Sequence, residues 1–577
     1  MKIDVTVRPG ESRLEPSEKG PLEGNATPFP GSVEATVAHS KQRVIGSKQR
    51  LSESVLWQIQ RNFYSKHSGQ AWRAGTLPLE ITSNPLIARA YARVIYGFWK
   101  DSGRAAGSPL RILELGAGHG RFGYLFLCAF EELHRRLSPP GAVFQYVMTD
   151  GSETNLEFLM SHPKLQRFVD AGVLEFALFD VERDGSPRPA KPGNAFAGGQ
   201  AAGPVAVIAN YLLDSIPADA FYVKQDELFE RLVTVQAADS WPDWTDPGLL
   251  SKLCISCTNH PVQADYYPEP GWNHILEQYR KVLAEASLLF PVAALRCIER
   301  LHRAAAGNFL LLAADKGAIH EDELLPEEGI PGMAVHAQGC FSLDVNFDAI
   351  ARYFRSLGGV VLNTPQHAVN LNVVAFVVIQ ANLIPPNLIQ PNQGQPNQGC
   401  AETSQAFEDF VHRNGPDDFF TLEGALESVE PELTLDQILA YLRASAWNPK
   451  VFLDSFSVIM RAIPQATAPN KQDLYQAALR IWDAYYSIGE ETDLEFHLGV
   501  LLLETGFCKE AMHFFRDSVS THGPQCATSY NLGLCFFGLG QMKEALAQMD
   551  EALKFDDGYE LARAMRTSLM SALGQSG

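Results

Sequence analysis

At 577 residues the chain is too long for one ordinary domain, and with 46% hydrophobic residues it can fill sizeable cores. Lys and Arg number 47 against 67 Asp and Glu, a formal net charge of −20 that argues against a general binder of nucleic acid or anionic membranes. No apolar run approaches the ~20 residues of a membrane span, and the 9 scattered cysteines fit a reducing compartment better than a disulfide framework.

Met1 to Arg8 lacks the apolar region of a signal peptide, so the cytoplasm is the expected location. Residues 1–48 are rich in Pro, Gly, Ser, Glu and Lys without a lasting apolar period, and are expected to be disordered. From Leu51 the pattern turns amphipathic and helical, and Pro85 to Trp99 predicts a second helix.

Ile112-Leu-Glu-Leu-Gly-Ala-Gly-His-Gly120 then reads as a strand, a glycine-rich turn and the start of a helix. Gly116, Gly118 and Gly120 leave room for a nucleotide-like ligand at the backbone, and Glu114 sets a carboxylate at the strand end. A dinucleotide fingerprint would require glycine at position 121, where Arg121 stands. The pattern instead resembles motif I of S-adenosylmethionine (SAM) methyltransferases, with Ala117 inside the cofactor turn. His119 is expected beside the cofactor and not in catalysis.

Strands and helices alternate beyond this point, as in an α/β sheet. Phe144–Asp150, Val173–Asp180 and Val205–Asn210 are predicted strands, separated in part by a Pro/Gly/Ala loop from Gly185 to Gly203. Asp150, ending the second strand, is placed to accept both ribose hydroxyls. Asp180, ending the third, can meet the adenine amino group beside the apolar Val181. Asn210, Tyr211 and Asp214 follow the fourth strand, on the side where a methyl acceptor would be positioned. A long helix is expected from Trp272 to Ala305, then a strand from Phe309 to Ala313 and a closing pair at Val360–Asn363 and Asn372–Ile379. Cys254, Cys257 and His260 are too few for a structural zinc site, and their alternation fits a strand with buried thiols, so no metal is expected.

The ordered motifs resemble the MidA-like family of SAM-dependent methyltransferases, which includes mitochondrial complex I assembly factors that methylate protein arginine. Phe63-Tyr-Ser65 and Pro78-Leu-Glu-Ile-Thr82 match segments that precede motif I, and Asn210, Asp214 and Pro217 match an Asn-Glu-x-x-Asp-x-x-Pro motif. Asp315-Lys-Gly317 approximates an Asp-Tyr-Gly segment, His336 a later histidine, and Val345–Ile350 a Val-Asp-Phe-Thr-x-Leu segment. The resemblance spans roughly residues 51–380. It implies a Rossmann-like class I sheet with helical insertions, SAM as cofactor, and catalytic work by Asn210, Tyr211 and Asp214. Tyr211 replaces the family's glutamate and Lys316 its tyrosine. A guanidinium acceptor gains from a bidentate carboxylate, which Asp214, Asp219 or Glu80 would have to supply.

Residues 381–403, with the near-repeat Gln-Pro-Asn-Gln-Gly, form a linker by composition. This bounds a methyltransferase domain at 49–380 and a helical domain at 404–577. Within the latter, Leu498-Gly499 recurs as Leu532-Gly533, Gly506 as Gly540 and Glu510-Ala511 as Glu544-Ala545, each 34 residues on. That is the tetratricopeptide (TPR) period, over about 465–577. Ala477, Ile481 and Ala484 suggest a third, degenerate repeat, and Leu561–Leu573 a capping helix. The expected function is methyl transfer to an N or O acceptor, on a protein recruited by the TPR surface. A small-molecule methyltransferase and a TPR scaffold with a regulatory SAM-binding domain are the rival readings.

Overall fold

The computed structural model describes residues 27–28, 43–67, 81–103, 109–139, 141–190, 203–237, 242–244, 246, 248–263, 265–305, 307–336, 339–364, 367–368, 371–379, 399–413, 415–429 and 433–574. Among the described residues the molecule combines a mixed α/β region with a carboxy-terminal region that is wholly helical. None of their helices is long and apolar enough to cross a membrane.

The strands that position the site are β1 (Arg43–Gln49), β2 (Leu110–Leu115), β3 (Phe144–Asp150), β4 (Leu174–Leu178), β5 (Val205–Asn210), β6 (Asp219–Lys224), β7 (Glu227–Ala237), β8 (Cys254–Pro261), β9 (Glu285–Phe290), β10 (Phe309–Asp315), β11 (Val360–Leu362) and β12 (Asn372–Val378). The main sheet runs in the order β11-β12-β10-β5-β2-β3-β4, with Arg188–Pro189 at its edge. β4, β3, β2, β5 and β10 are parallel, and β12 enters antiparallel to β10. Chain order reverses at β2, with β3 on one side and β5 on the other, so a crevice opens at their carboxyl ends. The strands read as unbroken apolar runs because both faces are covered. Trp99, Phe126 and Phe130 fill one face, and Trp272, Tyr279 and Phe354 the other.

A second, antiparallel sheet runs β8-β7-β6-β9, and β1 lies along the far half of β7. It overturns two expectations. Residues 43–48, assigned to a disordered start, belong to strand β1, while 1–26 and 29–42 lie outside the described residues. The expected helix from Trp272 to Ala305 is two helices with β9 between them; Glu-Ala-Ser-Leu-Leu-Phe is a short apolar run whose period does not separate strand from buried helix. Cys254 and Cys257 do lie on a strand, but β8 is an edge, so Cys254 is exposed and Cys257 half-buried.

The helices, in chain order, are α1 (Leu56–His67), α2 (Pro85–Asp101), α3 (Arg121–Leu137), α4 (Glu153–Ser161), α5 (Pro163–Asp170), α6 (Pro270–Val282), α7 (Val292–Ala304), α8 (Phe347–Ser356), α9 (Ala401–Phe407), α10 (Pro416–Val429), α11 (Leu435–Ala444), α12 (Pro449–Ala462), α13 (Ala468–Ala484), α14 (Leu494–Thr505), α15 (Cys508–His522), α16 (Cys526–Gly538), α17 (Met542–Phe555) and α18 (Glu560–Gly574). The expected linker lies mostly outside the described residues, and its last three positions already belong to α9. Small residues govern the helix pairs. A Cβ on Gly499 would stand 2.6 Å from the Phe515 ring, and one on Gly533, in the next pair, would run into Met549.

Among the described residues, several contacts fasten the helical region to the sheet region, among them the Leu371 amide donating to Asp417 Oδ1 at 3.1 Å. Asp101, ending α2, accepts hydrogen bonds from the Glu402 and Thr403 amides (3.1 and 2.8 Å) and from Thr403 Oγ1 (2.6 Å), which caps α9. Gly97 makes this approach possible, since a Cβ there would lie 2.6 Å from the Glu402 carbonyl oxygen. Another fastening is the loop after α13. Tyr486, 1% exposed, stacks on His162 with ring centroids 3.7 Å apart, and the Ser487 carbonyl lies 2.9 Å from His162 Nε2. Glu490 pairs with Arg121, and Tyr124 donates to the Asp483 carbonyl at 2.8 Å.

Candidate active site

The glycine turn explains itself from its backbone. Gly116, Gly118 and Gly120 have φ of +64°, +56° and +78°, values that side-chain-bearing residues rarely adopt. The turn carries the chain from the end of β2 into the first turn of α3. Gly123 lets that helix press on the strand, because a Cβ there would lie 2.5 Å from Glu114 Oε2. Asp150, ending β3, holds the turn from outside: its carboxylate accepts from the Gly118 amide (3.0 Å), the Ser152 amide (2.8 Å) and Asn155 Nδ2 (3.2 Å).

A cavity of about 1090 Å³, part of it open to solvent, lies over the carboxyl ends of β2 and β5. Its walls bring together Glu114, Gly116, Ala117, Gly118, Asn210, Tyr211 and Asp214, with His119 beside them. Gly120, Asp150, Asp180 and Val181 are not among its lining residues. Gly120 caps α3 beneath Tyr486. Asp180 takes the role of a turn residue, its Oδ1 accepting from the Glu182 amide at 2.9 Å, and Val181 packs into the core beside Arg300. Asp219 is likewise structural, accepting from the Ser52 amide and Tyr267 Oη, and Glu80 lies outside the described residues.

The electrostatics divide the cavity. Burial pushes the Glu114 carboxyl up to about 8, although Tyr146 Oη donates to it at 2.8 Å. Burial, then the Arg121 charge, holds His119 down to about 3, so its imidazole is neutral; Nδ1 accepts from the Arg121 amide at 3.1 Å. Such a weak base does not serve as a proton acceptor near neutrality. Asp214 differs. Burial raises it to about 6, while Ser215 Oγ donates to it at 2.7 Å. Asp315, ending β10, is raised well above the usual carboxylate range by burial and by the Asp214 charge, and Oδ2 accepts the Asp214 amide at 3.1 Å. Asp315, the more strongly raised of the two, holds its proton and leaves Asp214 the ionised member near neutrality.

Two further details mark the wall that Asn210, Tyr211 and Asp214 form. Tyr211 has φ +47°, a left-handed conformation strained for a side chain of its size, and it lines the cavity. Asn210 accepts from Tyr91 Oη at 2.9 Å through Oδ1, while its Nδ2 is buried without a hydrogen-bond partner. A donor left unpaired in a cavity wall costs free energy that a bound ligand's acceptor would offset.

Sequence reasoning did not single out Tyr91, Ser83, Ser215, Cys340, Phe341 or Ser342, of which all but Tyr91 line the cavity. Tyr64, Thr82, Lys316 and His336, noted only through the resemblance, line it too. Asp315 had a usable signal, being an acid at the end of an apolar strand as Glu114 and Asp150 are. Cys340 and Phe341 arrive from a distant segment held by Gln60, whose amide bonds both backbone groups of Phe341, and no local pattern announces that.

Residues 90–315 match the model of a family described as "Putative S-adenosyl-L-methionine-dependent methyltransferase". SAM is thus the cofactor of the family whose model spans the glycine turn, Asp150, Asn210, Asp214 and Asp315. No curated protein matches the chain. Among solved structures, an uncharacterized ACR superfamily protein from Burkholderia thailandensis is 14% identical with a TM-score of 0.33, over 56% of this chain and 93% of that one. A superfamily member from the same organism, bound to S-adenosyl-homocysteine, is 13% identical with a TM-score of 0.33, over 57% and 95%. An O-methyltransferase family protein, again from that organism, is 11% identical with a TM-score of 0.27, over 58% and 66%.

Proposed function

We propose that the α/β region is a SAM-dependent methyltransferase acting on an N–H or O–H acceptor of a protein, which the helical region recruits as a TPR-type surface. One observation carries the catalytic reading: the glycine turn after β2 and the Asn210-Tyr211-Asp214 segment after β5 open into one cavity at the point where strand order reverses. The cavity suits the cofactor chemically. Glu114 and the backbone of Gly116 to Gly118 would hold its polar groups, and the unpartnered Asn210 Nδ2 offers a buried donor. Bound there, SAM supplies a methyl group on a sulfonium.

The chain's own residues supply orientation and a proton acceptor. Asp214, near 6 and fixed by Ser215, takes the acceptor's proton as its heavy atom becomes the nucleophile. Asp315, protonated, keeps a second negative charge out of the site. Tyr211 and Phe122 contribute aromatic wall, and Tyr64, hydrogen-bonded to Ser215 at 3.1 Å, braces the Asp214 side. Alignment of the acceptor accounts for most of the rate gain in such a displacement. Recruitment through the helical hairpins would raise the local concentration of a protein acceptor.

The test is incubation of the full chain with methyl-labelled SAM and cell extract. Label entering protein, and lost on Gly116→Val, supports the reading; φ +64° with a Leu212 methyl 3.3 Å from the added Cβ makes valine incompatible with the turn. Label entering only small molecules removes the protein acceptor. Absence of SAM binding by folded protein, measured by calorimetry, removes the enzyme.

A further inference from the structure

The helical region carries a second group of ligand-type side chains, far in sequence from the cavity. Asp493 is the N-cap of α14, Glu495 lies in its first turn, and His522 ends α15. The start of one helix meets the end of the other, as an antiparallel hairpin requires. His522 Nε2 lies 3.8 Å from Asp493 Oδ1 and 3.9 Å from Glu495 Oε2, and the three ligand atoms all fall within 4.8 Å of one another.

An imidazolium held between two carboxylates would account for the grouping, but at these distances neither contact is a hydrogen bond. Glu495 is 4% exposed, and both its Oε2 and His522 Nε2 are buried with no hydrogen-bond partner. An unpartnered carboxylate oxygen and an unpartnered ring nitrogen thus face one small space. Asp493 is different, for it is already braced: Oδ1 accepts the Phe496 amide at 2.7 Å and Oδ2 accepts Ser518 Oγ at 2.6 Å. Bracing of that kind is what orients a carboxylate ligand from behind.

We propose that Asp493, Glu495 and His522 bind one divalent transition-metal cation, with zinc preferred. Two carboxylates balance its charge, and the imidazole favours zinc over magnesium or calcium. Ligand bonds of about 2.0–2.2 Å put tetrahedral ligand atoms about 3.3–3.6 Å apart, so the two histidine contacts need close by only a few tenths of an ångström and the two carboxylate oxygens by up to about 1 Å. Three protein ligands leave a fourth position for water. The cation staples the α14–α15 hairpin at the end that leads back, through Glu490, to Arg121 of α3.

The test uses the full chain stripped with EDTA, titrated calorimetrically with zinc chloride and, separately, magnesium chloride, alongside Glu495→Gln and His522→Gln. Wild type should bind zinc, and not magnesium, at a site that either variant weakens by at least the ~10–100-fold typical of a lost supporting contact. Melting temperatures give an independent readout that survives a loss of affinity. Without zinc, Glu495→Gln should melt at or above wild type, because it removes the charge from a buried carboxyl whose Oε2 has no hydrogen-bond partner. With zinc, wild type should rise and overtake it. Equal zinc responses in wild type and both variants would assign binding to other histidines or cysteines and overturn the proposal. So would a wild type indifferent to zinc, or a metal-free Glu495→Gln that melts well below it.

Discussion

Tyr486 joins the helical region to the end of the glycine turn, and two substitutions there should affect stability differently. The side chain is 1% exposed, stacked on His162 at 3.7 Å and tilted against Tyr124 at 5.3 Å, and its Oη would stand 3.1 Å from a Cβ on Gly120. Truncation of a buried aromatic ring to alanine costs about 3–5 kcal/mol, of which stacking accounts for about 0.5–1.5 kcal/mol. Tyr486→Ala should therefore lower the denaturation midpoint of the full chain sharply. The Tyr486 hydroxyl, however, is buried without a hydrogen-bond partner. Tyr486→Phe removes that unsatisfied group and keeps the ring, so it should be neutral or stabilising by about 1 kcal/mol. Because Arg121 and Gly120 begin α3 beneath this loop, the alanine variant should also bind SAM about tenfold more weakly, a loss of about 1.4 kcal/mol. Urea titration followed by fluorescence, with calorimetry of SAM binding on the folded fraction, reads both effects. A phenylalanine variant destabilised by more than about 1 kcal/mol, or an alanine variant with unchanged midpoint and SAM affinity, would refute this account of the contact.

Asp214→Asn should leave SAM binding within a factor of a few and reduce turnover by about 10²–10⁴-fold, and the wild-type rate should fall as pH drops through about 6, where Asp214 takes up a proton; a flat rate between pH 5 and 7 would remove it as the base. Glu114 carries a folded-state value near 8 against an ordinary value of 4.5, so the folded form binds the proton more tightly and stability should decline as pH rises from about 4.5 toward 8. Denaturation midpoints at pH 5, 6.5 and 8 should show that decline in wild type and a shallower one in Glu114→Gln. Gly499→Ala should destabilise the helical hairpins by about 1–3 kcal/mol through overpacking against Phe515, whereas the same change at Gly185, with nothing within 4 Å of the added Cβ, should be near neutral in a thermal melt.

The parallel core was legible because each strand announces itself the same way, with an apolar run ending in a polar residue at the sheet's carboxyl edge. Glu114 and Asn210, which line the cavity, and Asp150, which braces the glycine turn, stand at or next to such strand ends, and the glycines between Glu114 and Arg121 mark the turn. The antiparallel sheet was harder. Its edges are half-exposed, so β1 looked like a polar tail, and β9 is so short that its apolar residues merged with the helices on either side. Asp180 shows the limit of strand-end reasoning: the acid is present where expected, yet its carboxylate caps a local turn. The buried pair Asp214 and Asp315, and the arrival of Cys340 and Phe341, depend on which segments the fold brings together. No local pattern encodes that.

The Asp101–Thr403 contact bears on what holds the two regions in one molecule. Covalent continuity between β12 and α9 passes through residues 379–400, but α9 is seated on α2 and the loop after α13 on α3 and α5. A single proteolytic cut between those elements would therefore convert one polypeptide into two that migrate separately in denaturing gels and still travel together under native conditions. The helical region is in this sense a subunit that shares a chain with its partner. The two halves, expressed apart, are candidates for reassembly.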